Sequence, residues 1–580
     1  MKHRAKQGLL LALCMLFVLY CGCKAKGTGC ATATAQGCNG PVEVTVTADN
    51  GKILSVELGN HHETPEVAQA AMEQVTQDIV ERQSLAVDTV AGATESCRAV
   101  AEAAKTCLLS LGFDEDALYV TLNAPKQPEE TPVSSYDVVV VGSGGAGLSA
   151  AITAAQSGAR VVVLEKLAGV GGNTVRSTAL YNCVDDALQH PLGIYDSEEI
   201  FFQETFEGGH EMAKPELVRI LTSQADEGMR FLEEQGLQFD TVIDNCLGGA
   251  HDRGHYSLAH AGTDYIEVLQ TACDRLGVTI VLETAAKELI VDDGRVCGVR
   301  AVCRGEKQEY RAARGVVLAT GGFGYNVEMR MKYDHTLTGD LLCSNSPGST
   351  GDGILMAQAV GANLIGMEYI ELYPLGDVAT GGLRNSIPNV INRGIFVNTL
   401  GERFIREDAG RDDLSRTILE QPDGFIYVIT DDDCTVRQSE RDYLEGLVLM
   451  GEVVRADSLD ELADALGFER DVLKATVEAY NLAVEKQSDS IFGRQTLLNA
   501  LDTPPFYANA RKPTVHHTLG GVEIDTYARV LSEAGQPIPG LYAAGEVTGG
   551  IHGANRLGGN SFPDIIVFGR IAGLSAAQCR

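Results

Sequence analysis

The sequence predicts an α/β protein: a Rossmann-like domain interrupted by an inserted α+β capping domain and preceded by a small α+β module. Three observations predict it. The run Tyr136-Asp-Val-Val-Val-Val-Gly142-Ser143-Gly144-Gly-Ala146-Gly147-Leu-Ser-Ala-Ala, closed by Leu-Glu165-Lys166, reads as a buried strand, a glycine turn, a helix, a second strand and an acid. Strands running into glycine turns return late in the chain, at Gly315-Val-Val-Leu-Ala319-Thr320-Gly321-Gly and Gly540-Leu-Tyr-Ala-Ala-Gly-Glu546, while the alternation turns irregular between Glu368 and His517. Near the start, Val42-Glu-Val-Thr-Val-Thr alternates apolar and polar residues as a half-buried strand does, and Asp49-Asn-Gly-Lys is a hairpin turn.

The first 26 residues read as an export signal or lipoprotein signal. Lys2, Arg4 and Lys6 precede an apolar stretch from Gly8 to Tyr20, too short to span a bilayer comfortably, and Cys21 or Cys23 offers a thiol for a lipid anchor. The expected location is the cell envelope. At 580 residues the chain exceeds one ordinary core. Its apolar share of 44% and charged share of 22% are those of a globular protein. The net charge of −33 argues against nucleic acid and anionic membrane surfaces as partners. Fifteen cysteines are scattered without a CxxC metal pair or a CxxCH haem site; most read as small buried hydrophobes, and Cys30 with Cys38 is a pairing that nothing requires.

The small module covers 31–113. After its hairpin, Ile53-Leu-Ser-Val-Glu-Leu is the returning strand, Pro65 to Gln83 has helical periodicity, and Asp88-Thr-Val-Ala-Gly-Ala-Thr94-Glu-Ser96 leads into a helix through Leu111. Residues 114–134, with Pro125, Pro128 and Pro132 among acids, read as a linker. The Rossmann-like domain takes 135–367 and 518–580, and the cap 368–517. In the fingerprint, Gly142 permits the tight turn, Gly144 lets the backbone approach a pyrophosphate, and Gly147 lets helix and strand pack closely. The helix N-terminus offers free N–H groups to a phosphate, and Glu165 falls where an acid accepts from a ribose hydroxyl.

Several blocks resemble the flavoprotein of the fumarate reductase and succinate dehydrogenase superfamily, in particular its exported branch of flavocytochrome c fumarate reductases and urocanate reductases. They are the fingerprint, Glu165-Lys166, Gly171-Gly-Asn173-Thr174, Ala319-Thr320-Gly321-Gly322, Gly351-Asp352-Gly353, His516-His517-Thr-Leu-Gly-Gly521 and Gly545-Glu546-Val-Thr-Gly-Gly-Ile-His-Gly-Ala-Asn-Arg556-Leu-Gly-Gly559-Asn560-Ser561. The resemblance implies non-covalent FAD, held by Gly142, Ser143, Gly144, Ala146, Gly147, Glu165, Lys166, Asn173, Thr174, Ala319, Thr320, Gly321, Asp352, His517, Glu546, Asn560 and Ser561. It implies substrate contacts from His516, Arg556 and Gly559. Phe404-Ile-Arg-Glu-Asp-Ala-Gly-Arg411-Asp412 resembles the segment of the family's proton-donating arginine, which places that role on Arg411, with Asp412 or Glu407 to hold it. Saturating a C=C bond needs a hydride at one carbon and a proton at its neighbour, and cations beside the substrate carboxylate stabilise the charge that develops. An arginine fork suits that grip.

The chain departs from the dicarboxylate pattern twice. The family's His-Pro-Thr segment is matched by Leu372-Tyr373-Pro374-Leu375, and its Thr-Glu-x-x-Arg run by Ser386-Ile-Pro-Asn-Val-Ile-Asn392, without the Glu or the Arg. The grip on a second carboxylate is dismantled, so the expected substrate has one carboxylate and a less charged far end; Tyr373 resembles the tyrosine of urocanate reductases. The small module resembles the FMN-binding domain of sodium-pumping and Rnf-type electron-transfer subunits. Its Asp88-x-x-Ala-Gly-Ala-Thr94 matches their flavinylation motif, which implies FMN joined through its phosphate to Thr94, with Ser96 as the alternative. Expected partners are a small unsaturated acid and a quinol- or flavin-based electron donor in the envelope. The competing functions are a flavin dehydrogenase such as one for 3-ketosteroids, and a flavin electron carrier.

Overall fold

The computed structural model describes residues 27–63, 68–87, 89–90, 93–119, 131–245, 249 and 251–579. The expected signal in 1–26 lies outside them, as do Asp88, Ala91 and Gly92 of the flavinylation motif. The chain divides into two compact units, 1–131 with 167–169 and 132–166 with 170–580.

In the first unit, β1 (Gly29–Gln36), β2 (Pro41–Asp49) and β3 (Lys52–Leu58) form an antiparallel sheet with β2 central. Asn50 and Gly51 both have positive φ, as the turn of a two-residue hairpin demands. Alternation sends Val42, Val44 and Val46 inward, against α1 (Ala70–Arg82) and α2 (Thr94–Ser110). The module runs further than expected. Leu118 is buried in its core, and the Leu118 carbonyl accepts from Leu85 N at 2.7 Å and Ser84 Oγ at 3.0 Å. An apolar side chain and a doubly bonded carbonyl outweigh the polar character that reads as linker. Cys30 and Cys38 are both exposed and free.

The second unit contains the βαβ element. It comprises β4 (Val133–Val141), α3 (Gly145–Gln156) and β5 (Val161–Leu164). The strands β6 (Thr279–Val281), β7 (Thr284–Asp292), β8 (Arg295–Cys303) and β9 (Glu306–Leu318) extend the sheet in the order β7-β8-β9-β4-β5-β6. Pairing of β9, β4, β5 and β6 is parallel, so their valines are covered on both faces.

The irregular stretch folds around its own five-stranded sheet. It is built from β10 (Ile370–Asp377), β11 (Gly394–Val397), then α4 (Arg411–Leu419) against it, β12 (Ile426–Thr430), β13 (Val454–Ala456) and β14 (Phe506–Thr518). Successive residues point to opposite faces: Ile395 and Ile429 enter one core, Phe396 and Val428 another. Leu414 and Ile418 seat α4 in the second core, which fixes Arg411 at its first turn. After β14 the chain returns to the parallel sheet, where β15 (Pro537–Ala543) pairs with β9, and it ends in α5 (Ser561–Gln578).

Candidate active site

The glycine turn has the conformation its residues dictate. Gly142 has φ +103°, and a Cβ there would collide with the Ala319 carbonyl; a Cβ on Gly147 would collide with the Gly142 carbonyl oxygen. Gly144, the residue before α3, is extended, and a Cβ on it would meet no atom closer than 3.8 Å. That open space in front of a helix N-terminus fits the pyrophosphate of FAD. Glu165 accepts from Ser143 N at 3.0 Å and Ser143 Oγ at 2.6 Å, which ties the end of β5 to the turn. Lys166 Nζ lies 2.8 Å from Asp352 and 2.6 Å from Thr350 Oγ1, joining two blocks expected to hold the cofactor. Thr174 Oγ1 accepts from Gly145 N at 3.1 Å.

Asn173 ties its own turn to the 345–349 loop and to Glu546. Its Oδ1 accepts from Ser346 N and Ser349 Oγ, and its Nδ2 donates to Asn345 and to Glu546 Oε2 at 2.8 Å each. Burial raises the Glu546 carboxyl against the hydrogen bonds from Thr518 and Asn173 that favour its charge. The Asn560 side chain is turned into the protein, between Asn182 Nδ2 at 2.7 Å and Thr205 Oγ1 at 3.1 Å, so only its backbone is left for a cofactor.

The residues expected on the substrate side come together from four remote stretches. Glu371 of β10 pairs with His517 of β14, and Leu372 pairs with Val515, which leaves His516 as the extra residue of a β-bulge. A bulge re-aims a side chain; here His516 turns into a cavity of about 110 Å³ that Arg411, Arg556, Tyr373, Gly559 and Ser561 also line. Thr320, Ala319, Gly321 and Ala146 are not among its lining residues. The Arg411 guanidinium lies 5.3 Å from the Tyr373 ring centre, and the Tyr373 ring is 5.4 Å from that of His516. Ile391 and Leu383 line the same cavity, with Tyr256, Phe562 and Asn245. Ile391 belongs to the segment that lacks the family's Glu and Arg. Among the described residues, the cavity wall has no cation besides the two arginines.

Neither Asp412 nor Glu407 holds Arg411. Asp412 pairs with His210 at 3.2 Å, and Glu407 is buried between Arg403 at 2.7 Å and Arg494 at 3.2 Å. Among the described residues Arg411 is held by Glu371, which sequence reasoning missed. Its Oε1 accepts from Arg411 Nη1 at 2.6 Å and its Oε2 from Arg556 Nη2 at 2.8 Å. Burial alone would raise its carboxyl; the charges of Arg556 and Arg411 outweigh burial and bring it down to about 2. Burial pushes His516 down to about 3 although Glu371 opposes this, so the imidazole is neutral near pH 7. In that state it offers a hydrogen bond and no charge. Its Nδ1 sits 2.9 Å from Ser344 Oγ, leaving Nε2 for a ligand. His517 is likewise held neutral by burial, with its ring edge-on to His552 at 5.8 Å.

In the first unit, Ser96 is only 2% exposed and donates to the buried Glu63, whose other oxygen accepts from Asn39 N at 2.8 Å. Thr94 is half-buried and opens α2.

Residues 137–562 match the family described as FAD binding domain, and residues 37–109 match the FMN-binding domain. A urocanate reductase of Eggerthella lenta is 36% identical over 570 residues, covering 96% of this chain and 93% of the relative. An NADH:acrylate oxidoreductase of Vibrio harveyi is 34% identical over 611 residues; the match covers 94% of this chain, which spans 61% of that relative's length. Among solved structures, the open conformation of a flavocytochrome c3 fumarate reductase superposes with a TM-score of 0.65 at 35% identity, covering 77% of this chain and 79% of the other. By sequence and by fold, the chain belongs to this FAD-binding family of flavoproteins, with an FMN-binding domain ahead of it.

Proposed function

We propose that the protein is an FAD-dependent reductase of the C=C bond of an α,β-unsaturated acid carrying one carboxylate and an apolar or aromatic far end. One observation carries the proposal. A single cavity is walled by Arg411, Arg556 and a neutral His516 together with Tyr373, Leu383, Ile391 and Phe562. The relatives named for urocanate, acrylate and fumarate support the reaction class. FAD, when bound, supplies the hydride for one carbon of the double bond. The arginines and His516 Nε2 hold the carboxylate, so that negative charge developing on the acid meets fixed donors in a water-poor site. Arg411 gives the proton to the neighbouring carbon. A guanidinium is a feeble acid, but a carbanion-like centre is basic enough to take its proton. Tyr373 stacks over the guanidinium and keeps it facing the substrate.

FMN belongs to the same proposal: Thr94 would hold it through its phosphate, and the group would supply electrons drawn from a donor in the cell envelope. Thr94 opens a long helix, where a phosphate is favoured, whereas Ser96 is committed to Glu63. Export and a lipid on Cys21 or Cys23 complete it. The test is a screen of unsaturated acids as oxidants of a reduced viologen dye. An acid of the cinnamate, acrylate or urocanate type is expected to outrun fumarate by at least tenfold. Flavin-replete protein that reduces none of them sinks the assignment, and a preference for fumarate sinks the single-carboxylate part of it.

A further inference from the structure

We propose that Glu371 is a specificity-determining positioning residue that cancels one of the two guanidinium charges of the substrate grip, so that the cavity retains a single net positive charge and rejects a second carboxylate. The inference rests on the reading of this cavity as a carboxylate site and adds the element that sets its charge.

Glu371 is buried and each carboxylate oxygen takes a different arginine, at 2.6 and 2.8 Å. It is not among the residues that line the cavity, while both of its arginines are. The carboxylate therefore acts through the guanidinium groups and leaves the substrate's space clear. Among the described residues, Arg556 Nε is buried without a protein partner, so this arginine keeps a donor that Glu371 does not use.

Charge follows from those contacts. Two arginines contribute two positive charges, Glu371 returns one negative charge, and His516 is neutral. One substrate carboxylate then completes neutrality. A second would be buried without a counter-charge, against apolar Leu383 and Ile391, and an uncompensated charge in such a place is strongly disfavoured. Geometry adds to charge. Bonds from one rigid carboxylate to two forks hold Arg411 and Arg556 at a set separation. Loss of a carboxylate that served only packing would lower the affinity for every acid alike; loss of one that sets the charge changes the discrimination between acids of the same shape.

The experiment titrates oxidised, FAD-loaded full-length protein with succinate and with succinamate, which have the same length but two carboxylates and one. Perturbation of the flavin absorbance reports binding without turnover. The wild-type protein is expected to bind succinamate at least tenfold tighter than succinate. Glu371→Gln keeps the size and removes the charge, and it is expected to shift that ratio at least tenfold toward succinate. Glu371→Asp keeps the charge and is expected to keep the preference. Wild-type protein that binds succinate as tightly as succinamate, or neither acid, overturns the inference even if no variant folds. So does a Glu371→Gln variant that weakens both acids equally. Protein that shows the expected binding yet reduces no unsaturated acid leaves the charge assignment standing and defeats the reductase reading alone.

Discussion

Arg411 is held from two sides, by the Glu371 carboxylate and by the Tyr373 ring, so its guanidinium is fixed before any substrate arrives. A fixed donor does not spend the reaction reorganising, which is the usual source of catalytic advantage in a site of this kind. Arg411→Ala is expected to keep both flavins and lose about 10²- to 10⁴-fold in dye-linked turnover, the range of a positioned general acid. Arg411→Lys keeps the charge but not the fork that reaches Glu371, and it is expected to recover only a small part. Turnover within threefold of wild type in the alanine variant would remove Arg411 from the chemistry. The first unit offers a residue-scale contrast of its own. Ser96→Ala leaves the buried Glu63 short of a donor and is expected to cost about 1–3 kcal/mol in stability while covalent flavin is retained. Thr94→Ala is expected to fold normally and to release all of its flavin as free cofactor on acid denaturation, read by mass. Release of all flavin from the wild-type protein would refute attachment at Thr94.

At the scale of elements, the same glycine motif contains two kinds of glycine. Gly147 is needed by the protein itself, because a methyl group there runs into the Gly142 carbonyl. Gly147→Ala is expected to destabilise the second unit by about 1–3 kcal/mol, as overpacking of a close contact does. Gly144 has ordinary backbone angles and open space, so Gly144→Ala is expected to keep its thermal midpoint without FAD and to bind FAD at least tenfold more weakly. An alanine at 144 that leaves FAD affinity unchanged would remove the pyrophosphate from that spot. Local patterns like these were legible in the sequence because they concern neighbours: the two strands of the βαβ element, its glycines and the Asn50-Gly51 turn. Tyr373, His516, Arg556 and Arg411 were legible through motifs. Glu371 was not. A lone acid in Ile370-Glu-Leu-Tyr reads as the solvent side of an alternating strand, and its partners lie 40 and 185 positions away. The bulge at His516 carries no signature in His-His-Thr. Glu407 looked available to Arg411 because it is near in sequence, yet it lies four residues from Arg403 on the chain and is consumed there and by Arg494. Leu118 was hidden by the acids and prolines around it.

For the whole molecule, the buried groups of the site tie stability to pH. Burial holds His516 at about 3 and His517 well below its ordinary value, while the unfolded chain protonates both near pH 6.5. The sign follows from proton counting. Below pH 6.5 the unfolded chain binds protons that the folded protein refuses, so stability is complete above that value and falls as the solution is acidified. Each such histidine contributes a slope of about 1.4 kcal/mol per pH unit in that range. Glu371 acts in the same direction lower down, because its folded value of about 2 lies beneath that of an exposed glutamate. Its contribution is lost between about pH 4.5 and 2. Urea unfolding of the second unit, followed between pH 7.5 and 5, is therefore expected to show stability that is flat at the upper end and declines below pH 6.5. His516→Gln removes one titrating group, and its decline is expected to be shallower by about 1.4 kcal/mol per unit. An identical slope in wild type and variant would mean that His516 takes up its proton in the folded protein, and the grip would then carry a second net positive charge at mildly acidic pH. The balance that sets its preference for one carboxylate would move with it, so succinate should gain on succinamate as the pH falls in that case and not otherwise.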